Sequence, residues 1–423
     1  MTTTAQKGLA ANRCVLDNGL VIISKEARTI PAVTIHVGVK AGSVYDGHAV
    51  LGLSHLTSRV IDRGTRRRTP DEIAEAFDER GVSLAVNANR HVMTVSCTCL
   101  SDDFEAMLEL VGEIVMDPEF PPHEIETRKG EVLNAIRQDE DNPAAMAMLA
   151  LFEMLYPDQH PYGRPSKGTV QTVGRITRDD LVACHEARFT PSATTAVIVG
   201  DVDRDSAVAA AARIFGSWRK RAADDVSLAH PPAAPARRER VISMMNKAQA
   251  DIAYGFTTIV RSDPNYYAFM LMNNALGQYG IGGRLGDSIR ERQGMAYYVF
   301  SSFDANVVEG PLVVRAGVNP TNVERAIASI DEEIRRMATD GMTPSELADC
   351  KQYLIGSIPR LLETNGAIAT FLQTAEFFSL GLDHDLRLPS LLDRVTLEDV
   401  NAAARQSLDT ARASVVIAGP YQR

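Results

Sequence analysis

The chain has 423 residues, long enough for two or more domains with full cores, and its 45% hydrophobic and 23% charged residues are those of an ordinary globular protein. Asp and Glu outnumber Lys and Arg by 54 to 44, a formal charge of −10, and basic clusters such as Arg66-Arg67-Arg68 are short and isolated, which argues against a nucleic-acid footprint. Five cysteines are too few, and odd in number, for a disulfide framework, and no run of about 18 apolar residues could cross a membrane. The first residues lack an apolar core of signal-peptide length, which points to the cytoplasm, or to the periplasm had a leader been trimmed ahead of Met1.

Cys14 to Lys25 and Ala32 to Val39 alternate or run apolar and β-branched around the turn Asp17-Asn18-Gly19, the pattern of short strands. Leu51 to Asp62 reads as a helix. Thr69-Pro70-Asp71-Glu72 opens the next one, with Thr as N-cap, Pro at the first helical position and acids in the first turn, and Gly81 ends it. Strands are expected over Ser83 to Asn87 and His91 to Leu100, where alternation puts Cys97 and Cys99 on one buried face. Helices follow over Phe104 to Val115 and Pro122 to Gln138, and another begins after Pro143 and carries Met146 to Leu155. His160, in the turn-rich Tyr156 to Gly163, reads as a brace for its loop. Thr177 to Arg188 is helical, and Ala193 to Val199 is a strand closing on Gly200.

The second half repeats the first. Arg175 to Gly200 aligns without gaps to Arg394 to Gly419, with identities at Thr177/Thr396, Asp180/Asp399, Ala183/Ala402, Val197/Val416, Ile198/Ile417 and Gly200/Gly419. A match at one offset of about half the chain indicates duplicated domains. The Ala, Pro and charge-rich segment 219–240 is the natural linker, dividing the chain into domains 1–218 and 241–423. Beyond it, Val241 to Phe256 reads as strands and Tyr266 to Leu276 as a helix. Thr343-Pro344-Ser345-Glu346 opens a long helix, and Leu361 to Leu380 is amphipathic, with Phe371, Phe377 and Phe378 as core.

Gly52-Leu53-Ser54-His55-Leu56-Thr57-Ser58-Arg59, followed by Gly64-Thr65, resembles the inverted zinc motif H-x-x-E-H of the insulinase/pitrilysin peptidases. In that motif two histidines at i and i+4 share a helix face and grip one Zn²⁺, while the Glu between them deprotonates the bound water. Here only His55 survives. Ser58 stands at the general-base position and Arg59 at the second ligand position, and neither a seryl hydroxyl nor a permanent cation can take those roles. The family's third ligand is a Glu on a helix ending in Asp-Asn-Pro. Anchoring on Asp141-Asn142-Pro143 puts Ala135 at that position, with Glu131 one turn away on what reads as a solvated face. The resemblance therefore implies that this chain binds no zinc of its own.

Gly280-Ile281-Gly282-Gly283-Arg284 to Arg290-Glu291-Arg292-Gln293-Gly294-Met295-Ala296-Tyr297-Tyr298-Val299 lacks the strand and helix frame of a phosphate loop. It resembles instead the C-terminal signature of the same family, in which an Arg and a Tyr seven residues apart face the zinc site. By that resemblance the pair is Arg290 and Tyr297, with Arg284 as the earlier Arg of the signature. A guanidinium fork can hold peptide carbonyls or a carboxyl end, and a phenol can donate to an oxyanion. Without the family frame, Arg290 reads as a surface ion pair with Glu291 or Asp287, and Tyr297 as a strand aromatic.

The resemblance spans nearly the whole chain and implies an α+β fold. Two tandem, similar domains are expected, each a mostly antiparallel sheet with helices on one face. It also implies a chain inactive alone, serving as the substrate-binding subunit of a heterodimeric zinc metallopeptidase, with zinc in an H-x-x-E-H partner and peptides as substrates. No nucleic-acid or membrane partner is expected. The rival from another class is a structural or assembly protein of the same fold, which would have no need of Arg290 and Tyr297. A free-standing peptidase with an unusual metal site is the third reading.

Overall fold

The computed structural model describes residues 8–157, 159–219, 226–278 and 282–422. Parts of the expected N-terminal stretch, of the linker (220–225) and of the glycine-rich signature (Gly280 and Ile281) lie outside the described residues.

Strands β1 (Asn12–Val15), β2 (Val21–Glu26), β3 (Ala32–Val39), β4 (Ala85–Ala88), β5 (Met93–Leu100) and β6 (Thr194–Gly200) form a sheet in the order β1-β2-β6-β3-β5-β4. Strands β7 (Arg238–Ser243), β8 (Ala250–Thr257), β9 (Ala296–Phe303), β10 (Pro311–Val318) and β11 (Ser414–Gly419) form a second in the order β7-β11-β8-β10-β9. In the first sheet β2 and β6 are parallel, in the second β7 and β11, and the other pairs are antiparallel. From β2 onward the two orders correspond strand for strand, so the duplication read from sequence is a duplication of topology.

The residues that carried the repeat carry equivalent jobs. Thr177 caps the helix Arg178–Arg188 in a reciprocal box with Asp180, and Thr396 caps Leu397–Ser407 with Asp399 in the same way. Gly200 and Gly419 end the matching strands at φ values of 151° and 139°. A Cβ there would stand 2.2 Å from the Ala32 carbonyl oxygen in one case and 2.7 Å from the Gln249 carbonyl oxygen in the other, so glycine is required at both.

Two compact units emerge, and they do not follow the halves of the sequence. One comprises Met1–Ile136, Pro165–Val226 and Ile358–Leu386; the other Arg137–Arg164, Ser227–Ser357 and Arg387–Arg423. Against the expected split at 219–240, each half of the sequence lends a helical segment to the other's sheet. Pro143–Leu155 lies on β8 and β11, and Asn365–Phe377 on β3 and β6. An apolar helix face records that it is buried but not which sheet buries it, so sequence pattern alone cannot reveal the exchange.

These lent helices cover a second face of each sheet. In the first unit Ile22, Val33, Ile35 and Ile198 pack with Leu56, Val60, Leu108 and Ile114, the main helical layer that the sequence predicts. The alternate residues Ile23, Val197 and Val199 pack with Leu9, Ile368 and Leu372, as strand alternation requires. Burying Ile368 and Leu372 is worth roughly 3–6 kcal/mol, enough to hold the lent helix in place. Phe371, Phe377 and Phe378, expected as core, are only half-buried; Phe371 flanks this cluster, and the Phe377 ring lies 5.6 Å from that of His91. In the second unit the Tyr254 hydroxyl donates to Asp331 on one side of β8 (2.8 Å). On the other side, Gly255 backs onto Leu151 and Leu155.

Candidate functional site

In the first unit the helix Leu53–Val60 is set by Asp46, whose carboxylate accepts from the Gly52 and Ser54 amides at 3.0 and 2.9 Å. Leu53, Leu56, Thr57 and Val60 are buried, which leaves His55 half-buried and Arg59 exposed. Ser58 is 4% exposed and its hydroxyl donates to the His55 carbonyl at 2.7 Å. The group at the general-base position is thus turned back onto its own helix.

Arg59 reaches the facing helix Pro122–Glu140, its Nη2 3.5 Å from Oε2 of Glu131. Glu131 also accepts from Arg128 at 2.5 Å, and Arg128 lies 3.4 Å from Glu124. Glu131 therefore looks toward the motif helix rather than standing on a purely solvated face, while Ala135, one turn on, offers only a methyl group. Both partners of the Arg59–Glu131 pair are nearly half exposed, so it contributes at most about 1 kcal/mol. Asp62 at the helix end is 3.3 Å from Arg63. Burial raises its carboxyl pKa, opposed by Arg63, Arg128 and Arg59. Among the described residues, no three His, Cys, Asp or Glu side chains are placed to hold a metal ion.

In the second unit the expected helix Tyr266 to Leu276 is α-helical over Tyr266–Asn273 and widens to a π-helix over Asn274–Gln278; a second π-helical stretch covers Gly286–Arg292. Arg284, just before it, is a structural clamp. Its Nε and Nη2 reach the two carboxylate oxygens of Glu346 at 2.6 and 2.7 Å, and Nη2 also donates to the Gly341 carbonyl. Those hydrogen bonds raise its pKa and keep it charged.

Arg290 is different. Its nearest ion-pair partner is Glu291 at 3.7 Å, and its side chain is 45% exposed. The Gly294 amide donates to the Arg290 carbonyl (3.1 Å) and the Met295 amide to that of Ile289 (3.1 Å), closing the turn into β9. Tyr297, on that edge strand, is 82% exposed. Tyr298 points to the opposite face, where its hydroxyl donates to the buried carboxylate of Asp251. Burial first, and Asp251 second, raise its phenol pKa. Arg284 and Tyr298 thus hold the segment together, and Arg290 and Tyr297 are presented outward.

His160 does brace its loop: Nδ1 accepts from the Tyr162 amide at 3.0 Å and Nε2 faces the Ala229 carbonyl at 2.8 Å, which fixes the proton on Nε2. Cys97 and Cys99 are buried with thiol pKa values pushed up to about 12 and 11, chiefly by desolvation. Sequence reasoning missed the Asp46 cap, the Tyr298–Asp251 bond and the buried amide of Asn274; only an acid or amide in an otherwise apolar stretch could have signalled them.

Comparison with known proteins bears on the family and the fold. Residues 21–167 match the family described as insulinase (peptidase family M16), and residues 175–354 match the peptidase M16 inactive domain. An "uncharacterized zinc protease" of Mycobacterium leprae is 30% identical over 99% of this chain and 93% of its own length. The crystal structure of a peptidase M16 inactive domain from Pseudomonas fluorescens superposes with a TM-score of 0.91 at 28% identity, over 98% of this chain and all of that one. A protease from Helicobacter pylori shares the fold, with a TM-score of 0.89 at 17% identity over 96% of this chain and 99% of its own.

Proposed function

This chain belongs to the M16 insulinase peptidase family, and on that premise we propose that it is the non-catalytic, substrate-binding subunit of a heterodimeric zinc metallopeptidase that degrades or processes peptides. The observation that carries the reading is an asymmetry between the two signatures. At the zinc signature Ser58 is bonded to its own backbone, Arg59 leans on Glu131, and Ala135 has no donor atom. At the other signature Arg290 and Tyr297 face outward, with no strong partner holding Arg290 back.

In this reading the zinc and the general base belong to an H-x-x-E-H partner of the same fold, and together they supply the activated water. Arg290 holds peptide carbonyls or a carboxyl end through its guanidinium fork. Tyr297 donates its hydroxyl to the oxygen that gains charge in the tetrahedral intermediate. No described helix of this chain is long and apolar enough to cross a membrane.

The test is reconstitution. The chain and a zinc-bearing relative of similar length, each inactive or weakly active alone, are expected to co-purify and to gain peptidase activity on mixing. Activity unchanged by mixing, despite a stable complex, would replace this reading with a structural role in assembly.

A further inference from the structure

The second unit contains a cavity of about 450 Å³, with Asn274 and Ala275 on the π-helical turn and Gly282, facing Asp349, Cys350 and Tyr353 of the helix Pro344–Leu361. That size is within the range of small-ligand sites. Asn274 is 1% exposed, yet among the described residues neither its amide oxygen nor its amide nitrogen has a hydrogen-bond partner. Leaving a buried polar group unpaired costs about 1–3 kcal/mol, and a leucine of similar size would avoid that cost. Other buried side chains among the described residues, Asn273 and Gln373 included, leave one polar atom unpaired, but Asn274 is the one that leaves two, and such a violation marks a place where something other than stability set the residue.

We propose that this cavity docks an extended peptide, one residue of which pairs its backbone N–H and C=O with the two ends of the Asn274 amide. An extended residue presents its own N–H and C=O on the same side, and a carboxamide is the side chain that offers an acceptor and a donor side by side. Cations would leave the amide nitrogen unpaired, and anions the oxygen.

The other polar groups of the wall are Glu346, Asp349, Cys350 and the exposed Gln352 and Tyr353. Glu346 is already committed to Arg284 and to the Thr343 amide. The Cys350 thiol is pushed up to about 12 by burial, so it lines the wall as a neutral group. Asp349 is exposed and disfavours an acidic side chain on the peptide at that point. The Asn274 amide is shielded from bulk water, so docking requires a local opening, and the π-helical turn that starts at Asn274 is a segment where the backbone departs from its tightest packing. The proposal rests on the peptide-binding part of the reading above and is independent of the zinc-bearing partner.

The experiment uses the isolated full chain and a fluorescently labelled, uncharged, unstructured peptide of about ten residues, with a second version N-methylated at alternate backbone nitrogens. Asn274→Leu should raise the melting temperature while weakening peptide binding roughly tenfold, the loss of one amide pair. N-methylation should weaken binding to the wild type by a similar factor and to Asn274→Leu hardly further, because both changes remove the same contact. In asparagine-¹⁵N-labelled wild type, the side-chain amide signal of Asn274 should shift as peptide is added, a readout that stands even if the variant folds poorly. No peptide binding by the wild type, or binding that leaves that signal and the Asn274→Leu affinity unchanged, overturns the proposal. In the second case the subunit reading survives, since it is tested at Arg290 and Tyr297.

Discussion

The helix Leu53–Val60 and the segment Arg290 to Tyr297 resemble two signatures of one family, and their side chains are held in opposite ways. In the first, the side chains at the motif positions are taken up by local structure: Ser58 bonds to the His55 carbonyl and Arg59 leans toward Glu131, while Ala135 offers only a methyl group. In the second, neighbours do the structural work and the two signature residues are left outward. Arg284 is tied down by Glu346 and Tyr298 by Asp251, while Arg290 and Tyr297 remain exposed. Under the proposed reading, two copies of one topology carry one retired site and one available site.

The comparison is broken most forcefully by reversing the retirement. Ser58→Glu, Arg59→His and Ala135→Glu together should take the chain from no bound metal to roughly one zinc per chain, read by elemental analysis after dialysis, because His55 is then joined by a second ligand on its own helix and a third on the facing helix. Each change alone should bind none. A triple variant that folds normally and still binds no zinc would mean that the helix Leu53–Val60 has lost the geometry as well as the residues.

Acid provides a test confined to the first unit. His36 on β3 and His91 are buried, and burial lowers each imidazole pKa to about 4, helped at His91 by Arg90. The unfolded chain takes up those protons first, near pH 6.5. The stability is therefore fully present above that pH and is lost as pH falls from about 6.5 toward 4, by about 3 kcal/mol for each histidine. Trp218, the chain's one tryptophan, lies in the same unit and reports its unfolding. His36→Gln should flatten the dependence of the denaturant midpoint on pH over that interval; an unchanged slope would show that His36 is not buried as described.

Within the second region, Arg284 and Arg290 should separate cleanly. Arg284→Ala strands the half-buried Glu346 and should cost about 2–3 kcal/mol in stability, whereas Arg290→Ala should stay within about 0.5 kcal/mol. In the mixed complex Arg290→Ala should instead weaken peptide binding about tenfold with a smaller effect on the chemical step, since a fork on backbone carbonyls holds ground state and transition state alike. Equal stability losses for the two variants would erase the distinction between clamp and presented residue.

Much of this was legible in the sequence. Thr69-Pro70-Asp71-Glu72 specified an N-cap, a first-turn Pro and first-turn acids that the structure contains, with a reciprocal Thr69–Glu72 box besides, and the Thr/Asp and Gly identities of the repeat named positions whose geometry demands those residues. The exchange of the helices Pro143–Leu155 and Asn365–Phe377 was not legible, because amphipathicity carries no address. Nor was the approach of Arg59 to Glu131: spacing along a helix gives the face, and only the packing of two helices gives the partner. The π-helical turns at Asn274 and Gly286 also escaped, since a widened turn keeps the composition of the α-helix it interrupts.

The central claim is that Tyr297 serves a site whose metal lies in another chain, and turnover of the purified mixed complex tests it most directly. Tyr297→Phe removes one hydroxyl from an exposed side chain and should leave assembly and zinc content intact, at roughly one zinc per pair of chains, while lowering kcat roughly 100- to 1,000-fold, the usual worth of one oxyanion donor. Tyr297→Phe complexes that turn over peptide at the wild-type rate, with the same zinc content, would contradict the account and leave this chain a scaffold.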